Sequence, residues 1–175
     1  AGKNNALVVA LKKKYLMLIK YFCSKNNLIP KLVDNASITA NSFINTHSFH
    51  GKDSVRINIF NSRHSITLFI NISSKPAYVK VFQKQEDGVI SRIIKEISQE
   101  NIKKVITEPF TNAFISGEDI GTDSLSEINK LSGLEFRKFN PFEIIKFAPG
   151  YQNKEISNEH FGNFTSAAGI ASHFI

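Results

Sequence analysis

The sequence predicts an α/β fold built on a mixed sheet, and three observations carry the prediction. Residues 54–82, SVRINIFNSRHSITLFINISSKPAYVKVF, hold three consecutive runs in which apolar side chains alternate with polar ones. A period of two is the mark of a strand with one face buried. Two polar breaks, Asn61-Ser62-Arg63 and Ser73-Ser74-Lys75-Pro76, separate the runs at hairpin length. Beyond Phe82 the apolar spacing changes to that of helices interleaved with short strands.

In the first run Val55, Ile57 and Ile59 alternate with Arg56 and Asn58; Ile66, Leu68, Ile70 and Ile72 form the second, and Ala77, Val79 and Val81 the third. Asp87-Gly88 then precedes Val89, Ile90, Ile93, Ile94 and Ile97, an amphipathic helix that ends near Asn101. Residues 104–107 read as a strand, and 114–121 (FISGEDIG) as a glycine-punctuated loop. That loop leads to a helix carrying Leu125, Ile128 and Leu131, closed by Gly133. Residues 135–139 form a strand that Asn140-Pro141 interrupts, and 142–147 either extend it or make a short helical turn. After a polar excursion over 151–162, a final helix over 165–175 carries the small residues Ala167, Ala168, Gly169 and Ala171. Three antiparallel strands followed by alternating helices and strands is the chain order of an RNase-H-like α/β domain. That fold hosts nucleases, sugar kinases and actin-like proteins, so it names no function by itself.

A smaller unit is expected ahead of this domain, over residues 1–45. Residues 6–11 (ALVVAL) read as a buried strand; Tyr15, Leu18, Ile19 and Phe22, widened by Leu16 and Cys23, give a helix over 14–25 that Asn26-Asn27 stops. Residues 29–33 read as a short strand, with Pro30 at its start or on an edge. Asp34 or Asn35 can cap a helix over 37–44. Residues 46–53, with His47, His50 and Gly51, form the expected linker, and 54–175 the main lobe.

Composition bounds the function. A chain of 175 residues buries enough surface to fold without a disulfide or metal staple. The single cysteine, Cys23, is expected to pack in a core, and its lack of a partner favours a cytoplasmic setting. No apolar run approaches the roughly 20 residues of a membrane span. The net charge of +7 suits an acidic partner, an anionic surface or nucleic acid, but the lysines are scattered and read as a solvated surface. His47 and His50 have a ligand-like spacing without a third ligand. A two-metal nuclease needs a carboxylate in the middle of the first strand, and VRINIF has none. Glu118, Asp119 and Asp123 read as a solvated helix start, and His64, His160 and His173 have no paired nucleophile, so an enzyme is not expected.

Taken together, ALVVALKKKYLMLIKYFCSKNNLIPKLVD, SVRINIFNSRHSITLFI, a Ser-Gly loop after a strand, FRKFNPFE and the closing FTSAAGIASHF resemble one family. It is the actin-like PilM-type family of type IV pilus assembly, to which the cytoplasmic half of the type II secretion L component and the division protein FtsA are related. The resemblance is to the second half of those proteins. It implies an actin-like lobe with a phosphate hairpin, a Ser-Gly-Gly turn at the nucleotide base, an N-P-F segment and a small-residue helix. The acid of the hairpin falls at Asn58 and its glycine at Phe60, and the turn Asn61-Ser62-Arg63-His64 is one residue longer than the family's. Ser116-Gly117-Glu118 keeps one glycine of the base turn, and the segment between Phe82 and Ile102 is short for the family. A phosphate hairpin needs small residues so that backbone N–H groups approach the oxygens, and an acid to orient Mg²⁺. The family is two-lobed and the first lobe is not in this sequence, which implies a fragment or a one-lobed relative.

The expectation is therefore a non-catalytic scaffold that binds protein partners, such as the cytoplasmic tail of an inner-membrane protein, at the cytoplasmic face of that membrane. Two alternatives stay open. One is a nucleotide-binding lobe, in which Asn61, Ser62, Arg63, His64, Ser116 and Gly117 meet ATP and Mg²⁺. The other is a basic RNase-H-like module for nucleic acid, which would need lysines clustered among aromatic platforms.

Overall fold

The computed structural model describes residues 8–47, 54–73, 75–85, 87–98, 102, 109–118, 121–145 and 160–174. The chain divides into two compact units, Ala1–Asn35 and Ala36–Ile175.

In the first unit, helix α1 (Lys13–Lys25) forms where the apolar period predicts it. Asn26-Asn27 ends it through a Schellman arrangement. Asn27 takes a left-handed φ of 55°, Leu28 N–H donates to Cys23 O at 2.8 Å and Asn27 N–H to Ser24 O at 3.3 Å. No residue of α1 is buried, and Cys23 is only half-buried, so it does not sit in the expected core. The two strands expected here are corrected. Residues 8–11 and 29–33 have no strand structure, and residues 6–7 lie outside the described part. An apolar run becomes a strand only against a partner edge, and the described residues of this unit contain no strand.

The second unit starts earlier than expected. Helix α2 (Ala36–His47) buries Ala40, Phe43 and Ile44 within it, so the division falls at Asn35 instead of residue 45. Residues 46–47 of the expected linker finish α2, and 48–53, His50 included, lie outside the described residues. The three alternating runs form β1 (Val55–Asn61), β2 (Ser65–Ile72) and β3 (Lys75–Gln83). They pair antiparallel, with Ile59 opposite Leu68 and Ile70 opposite Tyr78. Pro76 is tolerated because β3 is the outer edge of the sheet. Helix α3 (Val89–Ile97) follows, and the strand expected over 104–107 falls outside the described residues.

Strand β4 (Phe110–Gly117) corrects the loop expected from residue 114. It runs parallel to β1, with Ile59 opposite Ile115 and Asn61 opposite Gly117. Helix α4 (Thr122–Ser132) and β5 (Phe136–Lys138) complete a five-stranded sheet in the order β3-β2-β1-β4-β5. Asn140 Oδ1 accepts from Phe142 N–H at 3.0 Å and Pro141 supplies a preset φ, so Pro141–Glu143 is a 3₁₀ turn and does not extend β5. A second 3₁₀ turn (Phe161–Phe164) runs into helix α5 (Thr165–Ala171), and a third (Ser172–Phe174) follows.

The pleat sorts the side chains onto two faces. On one, Val55, Ile57, Ile59, Leu68, Ile70 and Ile115 pack with Ile93 of α3 and Ile128 of α4. On the other, α2 and α5 cover the sheet. Phe60 and Phe69 meet Ala40, while Phe43 and Ile44 meet Phe139 and Ala168. Gly169 makes the crossing of α5 over α2 close, since a Cβ there would stand 2.5 Å from Thr39 O. This is the packing the small-residue helix leads one to expect.

Candidate functional site

In an open sheet with parallel strands, ligands bind beyond the carboxyl ends, where strand order reverses. Here β1 is that strand, with antiparallel β2 on one side and parallel β4 on the other. The residues singled out in the sequence gather at its carboxyl end. Asn61 and Gly117 are register partners, and Ser116 beside them is buried. Gly117 has φ of 94°, and a Cβ on it would stand 2.1 Å from Asn61 O. Only glycine fits there.

The two strand ends are stapled together. Glu118 N–H donates to Asn61 O at 2.7 Å, and Asn61 Nδ2 donates to Glu118 O at 2.9 Å. The hairpin turn also closes on itself. Ser62 N–H and Ser62 Oγ both donate to Ser65 O at 2.9 Å, and Ser65 N–H donates to Ser62 Oγ at 3.2 Å. Arg63 and His64 stand exposed at the tip. The carboxyl-terminal segment crosses this edge, where a Cβ on Gly162 would lie 3.3 Å from Gly117 O. Behind it Phe142 packs against Phe161 and Phe164, at 5.6 and 5.4 Å between ring centres. Thus the structure brings Asn61, Ser62, Ser116 and Gly117 together, with Arg63 and His64 on the solvent side of the same turn. The backbone N–H groups of Ser62, Ser65 and Glu118 are spent on partners within the site.

Asn58, the position that the resemblance matches to an acid, does not face that edge. It is 1% exposed beneath α2. Its Nδ2 donates to Asn41 Oδ1 at 2.7 Å and to Asn45 Oδ1 at 3.2 Å. Asn41 and Asn45 in turn donate to Asn71 Oδ1 at 3.1 and 2.9 Å, and Asn71 Nδ2 returns a bond to Asn41 Oδ1 at 3.1 Å. Arg56 is buried next along the strand, with Nη1 on Asn45 O at 3.3 Å and Nε and Nη2 on Ser54 Oγ. Burial lowers the pKa of its guanidinium from the ordinary value. Phe60, matched to the glycine, packs on Ala40 and Phe69. The sequence reading missed this polar cluster. Its only signals were asparagines four apart on a helix and polar residues at alternate positions of a strand that is buried on both faces.

Among the described residues, clefts open elsewhere on this unit, and none of the six candidate residues lines the two described next. The larger, about 480 Å³, lies among His47, Phe114, Arg137, Lys138, Phe139, Asn140, Glu143 and Ile144. The other runs along residues 110–114 of β4 and reaches Arg137. His47 is held by its own helix, with Nδ1 3.1 Å from Phe43 O and its ring 4.4 Å from that of Phe43. Among the described residues no three His, Cys, Asp or Glu side chains come together as metal ligands do, and no helix is long and apolar enough to cross a membrane.

No family model matches the sequence, and no curated protein matches it. Among solved structures, one described as the PilM-PilN type IV pilus biogenesis complex superposes with a TM-score of 0.73 at 15% identity. That match covers 93% of this chain and 58% of the other. A protein of Bacteroides thetaiotaomicron, described as having an actin-like ATPase fold and unknown function, matches with a TM-score of 0.47 at 11% identity, over 78% of this chain and 44% of that one. The chain spans less than two thirds of either neighbour. At these identities the likeness is one of fold: the chain shares the fold found in the PilM-PilN complex structure, and its second unit carries a mixed five-stranded sheet.

Proposed function

We propose that this chain is a non-catalytic actin-like scaffold of a type IV pilus or secretion-type assembly. It binds protein partners, among them the cytoplasmic tail of an inner-membrane protein, at the cytoplasmic face of that membrane. The observation that carries the reading is the fold likeness to PilM, which that solved structure pairs with PilN. The closed hairpin supports the non-catalytic part. A phosphate cradle is built from backbone N–H groups left open to a ligand, and those of Ser62, Ser65 and Glu118 already have partners.

A second reading, nucleotide binding, draws on the convergence of Asn61, Ser116 and Gly117 at the carboxyl ends of β1 and β4. Calorimetric titration with Mg-ATP and Mg-ADP separates the two. The scaffold reading expects no heat at millimolar nucleotide, and saturable binding of a synthetic cytoplasmic-tail peptide from an inner-membrane pilus protein. Micromolar nucleotide binding that is lost in Ser116→Ala would restore an actin-like ATPase lobe. Failure of both ligands to bind would remove the scaffold reading.

A further inference from the structure

The side-chain amides of Asn41, Asn45, Asn58 and Asn71 bond to one another almost completely, and the exception is informative. Asn58 Oδ1 is fully buried and has no hydrogen-bond partner. A buried carbonyl oxygen left unmatched is costly, and native interiors satisfy such groups with ordered water.

Amide orientation does not remove the gap. Rotating Asn58 alone would set its oxygen against Asn41 Oδ1 and Asn45 Oδ1, acceptor on acceptor. Reversing all four amides together keeps every bond among them and puts Asn58 Nδ2 at the unfilled place instead. In either polarity one edge of Asn58 has no protein partner. The open edge needs a donor in one polarity and an acceptor in the other, and a water molecule serves either. A further hydrogen bond is at hand. Asn45 uses one of its two amide hydrogens within the cluster in either polarity, so it has a second N–H to offer. Buried waters typically make about three hydrogen bonds, and one here would have Asn58 and such an N–H as its first two.

We propose that the space between α2 and the β1–β2 pair is a binding site for a single buried water molecule, anchored on the free amide edge of Asn58. The site completes the polar clasp by which α2 is seated on the sheet.

High-resolution diffraction from crystals of the whole chain tests this directly. The expected result is one well-ordered water at hydrogen-bond distance from the Asn58 amide edge, with a second contact to Asn45. In solution, nuclear Overhauser transfer from a long-lived water to the side-chain amide protons of these asparagines is expected, and its loss in Asn58→Leu. An empty site, or an Asn58 edge bonded to a protein atom, would overturn the proposal. The wild-type density decides the question even if Asn58→Leu does not fold.

Discussion

Asn58 and Asn61 lie on the same strand and meet opposite surroundings. Asn61 joins the strand end to Glu118, and Asn58 joins the strand to a helix. A double-mutant cycle on Asn41→Ala and Asn58→Ala is expected to show a coupling of about 0.5–3 kcal/mol in denaturant unfolding, because the two share a direct buried bond. Additive losses would mean that the clasp does not form. Gly117 is constrained from two sides. Gly117→Ala adds strain at positive φ, about 1–3 kcal/mol, to a Cβ clash with backbone that costs about 1–3 kcal/mol more. A midpoint unchanged by that substitution would refute the close approach of Asn61. Tyr78 gives a pH signature. Burial, with its hydroxyl donating to the Glu96 carboxylate, pushes its pKa up to about 12 from an ordinary 10. The neutral phenol is favoured in the folded state, so its contribution to stability is fully present below pH 10 and is lost as pH rises through about 12. Unfolding midpoints measured across that window should fall more steeply for the native chain than for Tyr78→Phe.

Among the elements, legibility followed side-chain alternation, not burial: β1 is buried along its whole length, whereas the missed β4 is only partly buried. The β1–β2–β3 meander was readable because its members alternate polar and apolar residues, and α1 because its period and its Asn-Asn stop agree. Strand β4 was not. It lies between β1 and β5, sends Ala113 and Ile115 to one face and Phe114 to the other, and ends in a Ser-Gly-Glu sequence that imitates a loop. The runs at residues 8–11 and 29–33 failed in the opposite way, since apolar composition says nothing about whether a partner edge exists. For the site, the hairpin turn and Ser116-Gly117 were legible as a motif. The clasp was not, because its bonds join residues 13 to 30 positions apart. The crossing of α2 and α5 carries its own test. Gly169→Ala is expected to cost about 1–3 kcal/mol by overpacking against the Thr39 backbone, whereas Ala167→Gly on the same helix should cost only about 0.5–1 kcal/mol through helix propensity. Equal losses at the two positions would argue against the close crossing.

At the scale of the whole molecule the two units differ in what holds them. The second has a sheet with an apolar layer on one face and a mixed layer on the other. The first has none of the buried residues of α1 that would make a core, and Leu18, Tyr21 and Phe22 are each more than 60% exposed. A helix of 13 residues without tertiary burial is marginal in water. Lys13 and Lys14 in its first turn oppose the helix dipole, and only Lys25 at the far end complements it. The Schellman stop contributes too little to offset both. Native-state hydrogen exchange on this chain should therefore show α1 amides exchanging orders of magnitude faster than those of β1 and β2, whose protection reports global unfolding. Adding a partner that covers the apolar side of α1 should slow its exchange selectively. If α1 is already as protected as β1 in the isolated chain, the first unit has a source of stability that its own side-chain burial does not explain.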